Sequence, residues 1–230
     1  MPMDADTYEF DPTEAKEIYE KGFEVSRGKP LPPIEKHELT DVYELMVTAL
    51  FVDIVDSTPW LRSADERYMK FLQILVSEVQ KLFFGCPNVL ETGVRGDCLY
   101  CIVESERVKP FGLSVQKALL IYLVVDDLNK RIQQVGLPKL RIGVGVGVGP
   151  VKVMRVGRND GSDWARVWCG GAVIDACHLA NEAGRGEVLQ QILMSKEVYD
   201  YLPAELKNEF NQISVKKVLG PVYGYTDSKD

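Results

Sequence analysis

From Glu44 the chain turns almost continuously apolar, through Leu45-Met46-Val47-Thr48-Ala49-Leu50-Phe51-Val52 to Asp53-Ile54-Val55, with no polar face. That pattern predicts a strand buried on both sides. It runs into Asp56-Ser57-Thr58-Pro59, where a hydroxyl N-cap and a proline suited to the first turn predict a helix start. Phe71, Ile74, Leu75, Val79 and Leu82 then recur at helical spacing, marking the buried face of a helix that ends near Gly85. Val89-Leu90-Glu91-Thr92 and Cys98 to Val103 predict two strands joined by a glycine-bearing turn. A second helix is expected from about Pro110 to Val135. Leu140 to Val148 alternates glycine with Ile and Val, as in a strand pressed closely against a neighbour. After the polar turn Arg158 to Asp163 come a strand at Trp164 to Trp168, a helix from about Ala172 to Glu182 and a strand at Val188 to Met194. Short helices and a final hairpin near Ile213 to Tyr225 close the chain.

Residues 1–42 are polar and proline-rich around Gly28 to Pro33, with a helix expected over 12–24. They are expected to form an amino-terminal extension on a single domain spanning residues 43–230. Helices alternating with strands imply a sheet with helices packed on it, of the α+β class.

Composition narrows the partners. A net charge of −7 gives no general attraction to nucleic acid or anionic lipid, so a phosphate-bearing ligand has to be held by local cations or metal. The longest apolar candidate, Leu113 to Val125, is interrupted by Ser114, Gln116 and Lys117 and reads as a core helix rather than a membrane span. The acidic amino terminus lacks the basic and apolar regions of a secretion signal, and the five cysteines are odd in number and irregularly spaced. A cytoplasmic protein with reduced thiols is expected. Cys98 and Cys101 form a C-x-x-C, but on a strand they point to opposite faces.

The candidate chemistry lies at two aspartates, each at the polar end of an apolar run. Asp53 ends the first strand and Asp97 precedes the run Cys98 to Val103. Two carboxylates brought together repel, and a divalent metal is the natural partner for such a pair. Between them lie one long helix and one strand, the connection needed to set them on adjacent strands. With the Ile54 carbonyl they can hold two hard cations, Mg²⁺ or Mn²⁺. The turn Val55-Asp56-Ser57-Thr58 enters a helix and offers backbone N–H groups to a phosphate. Together these features suggest phosphoryl or nucleotidyl transfer.

Five segments in order resemble the motifs of class III nucleotidyl cyclases. They are Phe51-Val52-Asp53-Ile54-Val55-Asp56-Ser57-Thr58, Gly96-Asp97, Leu140-Arg141-Ile142-Gly143-Val144-Gly145, Trp168-Cys169-Gly170-Gly171-Ala172-Val173, and Gly186-Glu187-Val188 with Leu193 to Tyr199. The resemblance implies a ferredoxin-like palm with a mixed, mostly antiparallel sheet. It also implies a homodimer with active sites at the subunit interface, and conversion of a nucleoside triphosphate to a 3′,5′-cyclic monophosphate and pyrophosphate. On that resemblance Asp53, Ile54 and Asp97 fall on the metal-binding positions, and Asp53 and Asp97 are expected to be the catalytic pair.

The departures are as informative. Gly93 stands where purine cyclases carry a base-reading Lys or Glu, and the second base-reading position falls near Arg166 or Val167. Ile174 and His178 occupy the positions of the transition-state Asn and Arg, with Asp175 adjacent. This pattern is similar to the bacterial pyrimidine cyclases of Pycsar antiviral defence, whose products act on a separate effector. That implies UTP as substrate and cyclic UMP as product, with cyclic CMP, a purine cyclase and a catalytically silent binding module as alternatives. Phe51 shares a face with Asp53, and Arg95 shares one with Asp97 if that strand is regular, so both are expected to line the base pocket. An aromatic ring narrows such a pocket, while a guanidinium offers donors to pyrimidine carbonyl oxygens. Asp56, Ser57 and Thr58 are the expected phosphate-side contacts, and Arg166, Asp175 and His178 are further candidates.

Overall fold

The apolar run that closes on Asp53 is one long strand in the computed structural model, which describes residues 16, 19–63, 65–105, 109–157, 164–216, 218 and 220–225. In chain order the elements are β1 (Glu24–Arg27), a 3-10 turn (Ile34–Lys36), β2 (Asp41–Ile54), α1 (Thr58–Ser63), α2 (Glu66–Phe84), β3 (Val89–Arg95), β4 (Cys98–Glu104), α3 (Lys109–Gln134), β5 (Ile142–Val156), β6 (Ala165–Cys169), α4 (Gly171–Glu182), β7 (Ile192–Ser195), α5 (Lys196–Asp200), α6 (Ala204–Lys207), β8 (Phe210–Ile213) and β9 (Val222–Tyr225). They fall into two units. The smaller contains the residues up to Glu44 and Lys152–Trp168, the larger Leu45–Val151 and the residues from Cys169 onward.

In the larger unit the strands run in the order β3-β4-β2-β5-β7-β9-β8. β4 pairs antiparallel with both β2 and β3, β9 pairs antiparallel with β7 and β8, and β5 runs parallel to β7. The sheet is therefore mixed, with helices packed on it, as the α+β reading expects.

Alternation along β2 and β4 gives the sheet two unlike faces. Leu50, Val52 and Ile54, with Leu99, Cys101 and Val103, meet Leu75, Val79 and Phe83 of α2 and Val115, Ile121 and Ile132 of α3 in the main core. Ala49 and Phe51 face the other way, against Ala176 and Ala180 of α4, with Cys98 and Tyr100 packed beside them. Burying side chains on both faces explains why β2 reads as an unbroken apolar run.

β5 explains its own glycines. A Cβ on Gly143, Gly145 or Gly147 would lie 2.1, 2.0 or 2.3 Å from the carbonyl oxygens of Ala180, Ala176 and Ala172 respectively. Bare backbone on the strand lets α4 lie directly upon it, and the alanines recurring every fourth residue form the matching ridge. The close neighbour expected for this strand is a helix.

Some boundaries differ from expectation for local reasons. The helix that starts at Thr58 lasts only six residues. Asp65 then opens α2 afresh, its carboxylate accepting from the Arg67 N–H at 2.9 Å. Of the expected buried face, Leu75 and Val79 are buried, but Ile74 is 44% exposed and Phe83 is buried instead. The strand expected from Val188 begins only at Ile192, because Gly184 and Gly186 adopt φ of 67° and 56° and turn the chain first. The helix expected from about Pro110 to Val135 is α3. The final hairpin pairs Phe210–Ile213 with Val222–Tyr225.

In the smaller unit, β1 pairs in parallel with Asp41–Glu44. His37 is buried there, its Nε2 2.9 Å from the Asp41 carbonyl and its ring edge-on to Tyr43. Most of the helix expected over 12–24 lies outside the described residues, as does the turn 158–163. Residues 19–21 are helical, and Glu24 opens β1. Among the described residues no helix is long and apolar enough to cross a membrane.

Candidate active site

Strand register decides which side chains meet. β2 and β4 are aligned with Phe51 opposite Tyr100 and Val52 opposite Leu99, and β3 and β4 with Gly93 opposite Tyr100 and Arg95 opposite Cys98. Directly paired residues share a face, so Phe51, Asp53, Gly93, Arg95, Cys98 and Tyr100 all lie on the face that α4 covers. Asp97 is not a strand residue. It follows Gly96, whose φ of 65° makes the tight β3–β4 turn, so alternation does not carry from Arg95 to Asp97 as it would along a regular strand. Arg95 nonetheless stands on the Phe51 face, exposed, with its charge acting on Tyr100.

Asp53 is held in an adverse setting. Its side chain is only 13% exposed, and burial followed by the negative charge of Asp97 raises its pKa above the ordinary carboxylate value. Arg185 opposes this. Its guanidinium lies 2.5 Å from Asp53 Oδ2 and 3.2 Å from the Ile54 carbonyl oxygen. The field of the carboxylates reaches their neighbours. The Cys98 thiol is pushed up to about 12, first by burial and then by Asp53, and the Cys177 thiol is raised by the same two causes. Asp97 in turn accepts a short hydrogen bond from the Ser57 hydroxyl, so Ser57, itself buried, fixes that carboxylate.

The remaining candidates separate. Asp56 adopts φ of 56° and turns its exposed carboxylate to Arg141, 2.7 Å away. Thr58 is exposed at the start of α1. On α4, Cys177 packs against the cluster of Ala49, Phe51, Ala176 and Ala180, while Ile174 is 52% exposed and His178 is exposed. Asp175 lies on another flank of that helix, in a cleft of about 490 Å³ with Ser195, Glu197 and Tyr201, whose lining does not include Asp53 or Asp97. Burial and then the charge of Glu197 raise the Asp175 pKa. Arg166 belongs to the smaller unit, where it donates to the Pro32 carbonyl.

Tyr100 is the residue that motif reading missed. Its ring stacks on Phe51 with centroids 5.5 Å apart and planes 19° apart, and its hydroxyl donates to Glu91 at 2.9 Å. It also lies across Gly93, where a Cβ would come within 2.4 Å of the ring. The signal was present in Gly93 itself, since a glycine inside a strand marks a close approach.

The donor set suits a hard divalent cation. Two carboxylates and a backbone carbonyl supply oxygen only, and among the described residues no group of three or more His, Cys, Asp or Glu side chains could hold a metal alone. Such a site leaves coordination positions for substrate phosphates and water, the usual arrangement for Mg²⁺. The guanidinium spanning Asp53 and the Ile54 carbonyl shows that these atoms accept a cation together.

The chain also resembles known proteins in sequence and in fold. The profile described as the adenylate and guanylate cyclase catalytic domain matches residues 42–225. A uridylate cyclase of Treponema porcinum is 26% identical over 186 residues, which cover 80% of this chain and 65% of that protein. The chain thus spans a little under two thirds of that relative's length. Among solved structures, the adenylyl cyclase CyaB of P. aeruginosa superposes with a TM-score of 0.65 at 20% identity, covering 81% of this chain and 96% of the other. A class III adenylyl cyclase-like ATP-binding protein from Pseudomonas aeruginosa gives a TM-score of 0.66 at 17% identity, covering 86% of this chain and 45% of the other.

Proposed function

The chain belongs to the adenylate and guanylate cyclase catalytic-domain family, and from that premise we propose that it is a pyrimidine nucleotide cyclase converting UTP to 3′,5′-cyclic UMP and pyrophosphate. The observation that carries the pyrimidine reading is the Phe51–Tyr100 stack lying across Gly93. A purine-reading Lys or Glu at residue 93 would need the space that the Tyr100 ring fills, so this pocket is furnished with flat aromatic surface instead. Arg95, on the same face, has guanidinium donors for the carbonyl oxygens of a pyrimidine. The similarity to a uridylate cyclase supports UTP over CTP.

In this reading Asp53 and Asp97 bind two divalent cations, Mn²⁺ or Mg²⁺, together with the Ile54 carbonyl. Bound there, the cations would activate the ribose 3′-hydroxyl and stabilise the leaving pyrophosphate. The 3′-oxygen forms a bond to the α-phosphorus as the bond from that phosphorus to the pyrophosphate oxygen breaks, and the hydroxyl proton passes to solvent. Ser57 keeps the Asp97 carboxylate oriented, and the turn over Asp56, Ser57 and Thr58 lies on the phosphate side. Arg166, Asp175 and His178 complete the set of side chains to be tested for a part in the full assembly. Domains of this family often dimerise, and the active unit is a homodimer with its sites at the interface. The product acts as a second messenger on a separate effector, in antiviral defence of the Pycsar kind.

The direct test is Asp97→Ala, assayed for cyclic nucleotide by mass spectrometry with folding checked by thermal melting. Loss of at least about a hundredfold in rate, the scale of removing one transition-state stabilising group, is expected. Unchanged product formation would sink the two-metal assignment.

A further inference from the structure

Arg185 is placed by the chain with unusual definition for a residue in a loop. Gly184 and Gly186 on either side both have positive φ, and Arg185 makes an isolated bridge with Val188, so the backbone turns sharply at the end of α4. One guanidinium nitrogen, Nη1, donates to the carbonyl oxygens of Ala180 and Asn181 at 3.1 and 2.9 Å. These are carbonyls of the last turn of α4, where the helix carries partial negative charge and lacks partners within itself. The other nitrogen, Nη2, lies on Asp53 Oδ2 and the Ile54 carbonyl. The planar fork thus joins the carboxyl end of α4 to two of the atoms assigned as metal ligands. Asp53 and Arg185 are largely shielded from solvent, their side chains 13% and 28% exposed, so salt and water screen this contact weakly.

We propose that Arg185 is a built-in counter-ion of the metal ligands, a cation parked on Asp53 and the Ile54 carbonyl that a divalent ion has to displace, so that it sets the metal affinity of the nucleotide-free protein. The inference rests on the reading of Asp53 and Ile54 as metal ligands. It follows from competition and from repulsion. While Nη2 holds Asp53, the oxygen is occupied; once displaced, the guanidinium is still tethered by Nη1 to α4 and remains a positive charge close to the incoming cation. Both effects weaken metal binding in the absence of nucleotide. With a histidine at residue 178, this charge has added weight, since Arg185 contacts Asp53 from within the same unit.

The experiment is Mn²⁺ binding to the full chain without nucleotide, followed by the electron paramagnetic resonance signal of free Mn²⁺, for the native protein, Arg185→Gln, Arg185→Lys and Asp53→Asn. Arg185→Gln is expected to bind Mn²⁺ about tenfold more tightly, the scale of coupling between charges in contact. Arg185→Lys, which keeps the charge, is expected to stay nearer the native value, and Asp53→Asn to bind far more weakly. Equal or weaker binding by Arg185→Gln, with Asp53→Asn still defective, overturns the role of Arg185 and leaves the metal-ligand reading standing. Mn²⁺ binding indifferent to Asp53→Asn overturns that reading and the proposal with it. Since removing Arg185 also removes a contact to α4, a measurement on the native protein is paired with the variants. Nitrogen NMR of the arginine side chains, assigned through Arg185→Lys, is expected to show a rotationally hindered Arg185 resonance that shifts when Mg²⁺ is added. A resonance unmoved at saturating Mg²⁺ overturns the proposal.

Discussion

Asp53 shows how much of a site can rest on one unfavourable residue. Its pKa is raised by burial and by Asp97, with Arg185 offsetting only part of the effect. A carboxyl with a raised folded-state pKa binds protons more readily folded than unfolded, so stability falls as pH rises from the ordinary value of 3.8 through the folded one, and the deficit persists above it. Asp53→Asn, which mimics the protonated form, is therefore expected to melt higher than the native protein at pH 7 without metal, by about 2–4 °C, while losing cyclase activity. The gap should close as pH falls below 3.8. Equal melting temperatures at pH 7 would mean that the Arg185 contact cancels the penalty in full. At this scale the two aspartates, Phe51 and Gly93 were legible in the sequence because each breaks or punctuates a regular pattern. Tyr100 and Arg185 were less so: Tyr100 sits in a strand where an aromatic is ordinary, and Arg185 meets Asp53 from 132 residues away. Alternation and helical period describe neighbours along the chain, and contacts across it leave no such trace.

Among the elements, α4 and β5 decide the architecture of the site. The glycine and alanine ridges bring the helix onto the strand, and from that position Ala176 and Ala180 join the cluster around Phe51 and the end of the helix carries Arg185 back to Asp53. Gly145→Ala would place a methyl group 2.0 Å from the Ala176 carbonyl oxygen and 2.5 Å from the Ala180 nitrogen, both backbone atoms that cannot rotate away. Denaturant unfolding is expected to show a loss of about 1–3 kcal/mol, as for overpacking in a core, with activity reduced further as α4 is lifted. Stability within error of the native protein would contradict this account of the glycines. The glycine pattern announced a close neighbour but not its kind, because period alone does not say whether a strand or a helix arrives. The division of one expected helix into α1 and α2 was likewise hidden, since Asp65 as a cap is legible only once the chain is known to restart there.

Over the whole molecule, charge and family membership bear on function together. The chain carries −7 overall, so a highly negative nucleoside triphosphate gains nothing from long-range attraction and depends on local cations. The order of motifs made the fold legible, because five segments had to fall on one topology, and the strand order of the larger unit accommodates them. Base selectivity was less legible. In the proposed reading it depends on how Phe51, Tyr100 and Gly93 pack together, a juxtaposition that three separate strands define jointly. The measurement that tests the central claim most directly is incubation of the purified protein with Mn²⁺ and equal concentrations of ATP, GTP, CTP and UTP, with cyclic products identified by mass spectrometry. The account predicts cyclic UMP as the dominant product, abolished by Asp97→Ala. A cyclic purine nucleotide, or no product from folded protein saturated with Mn²⁺, would contradict it.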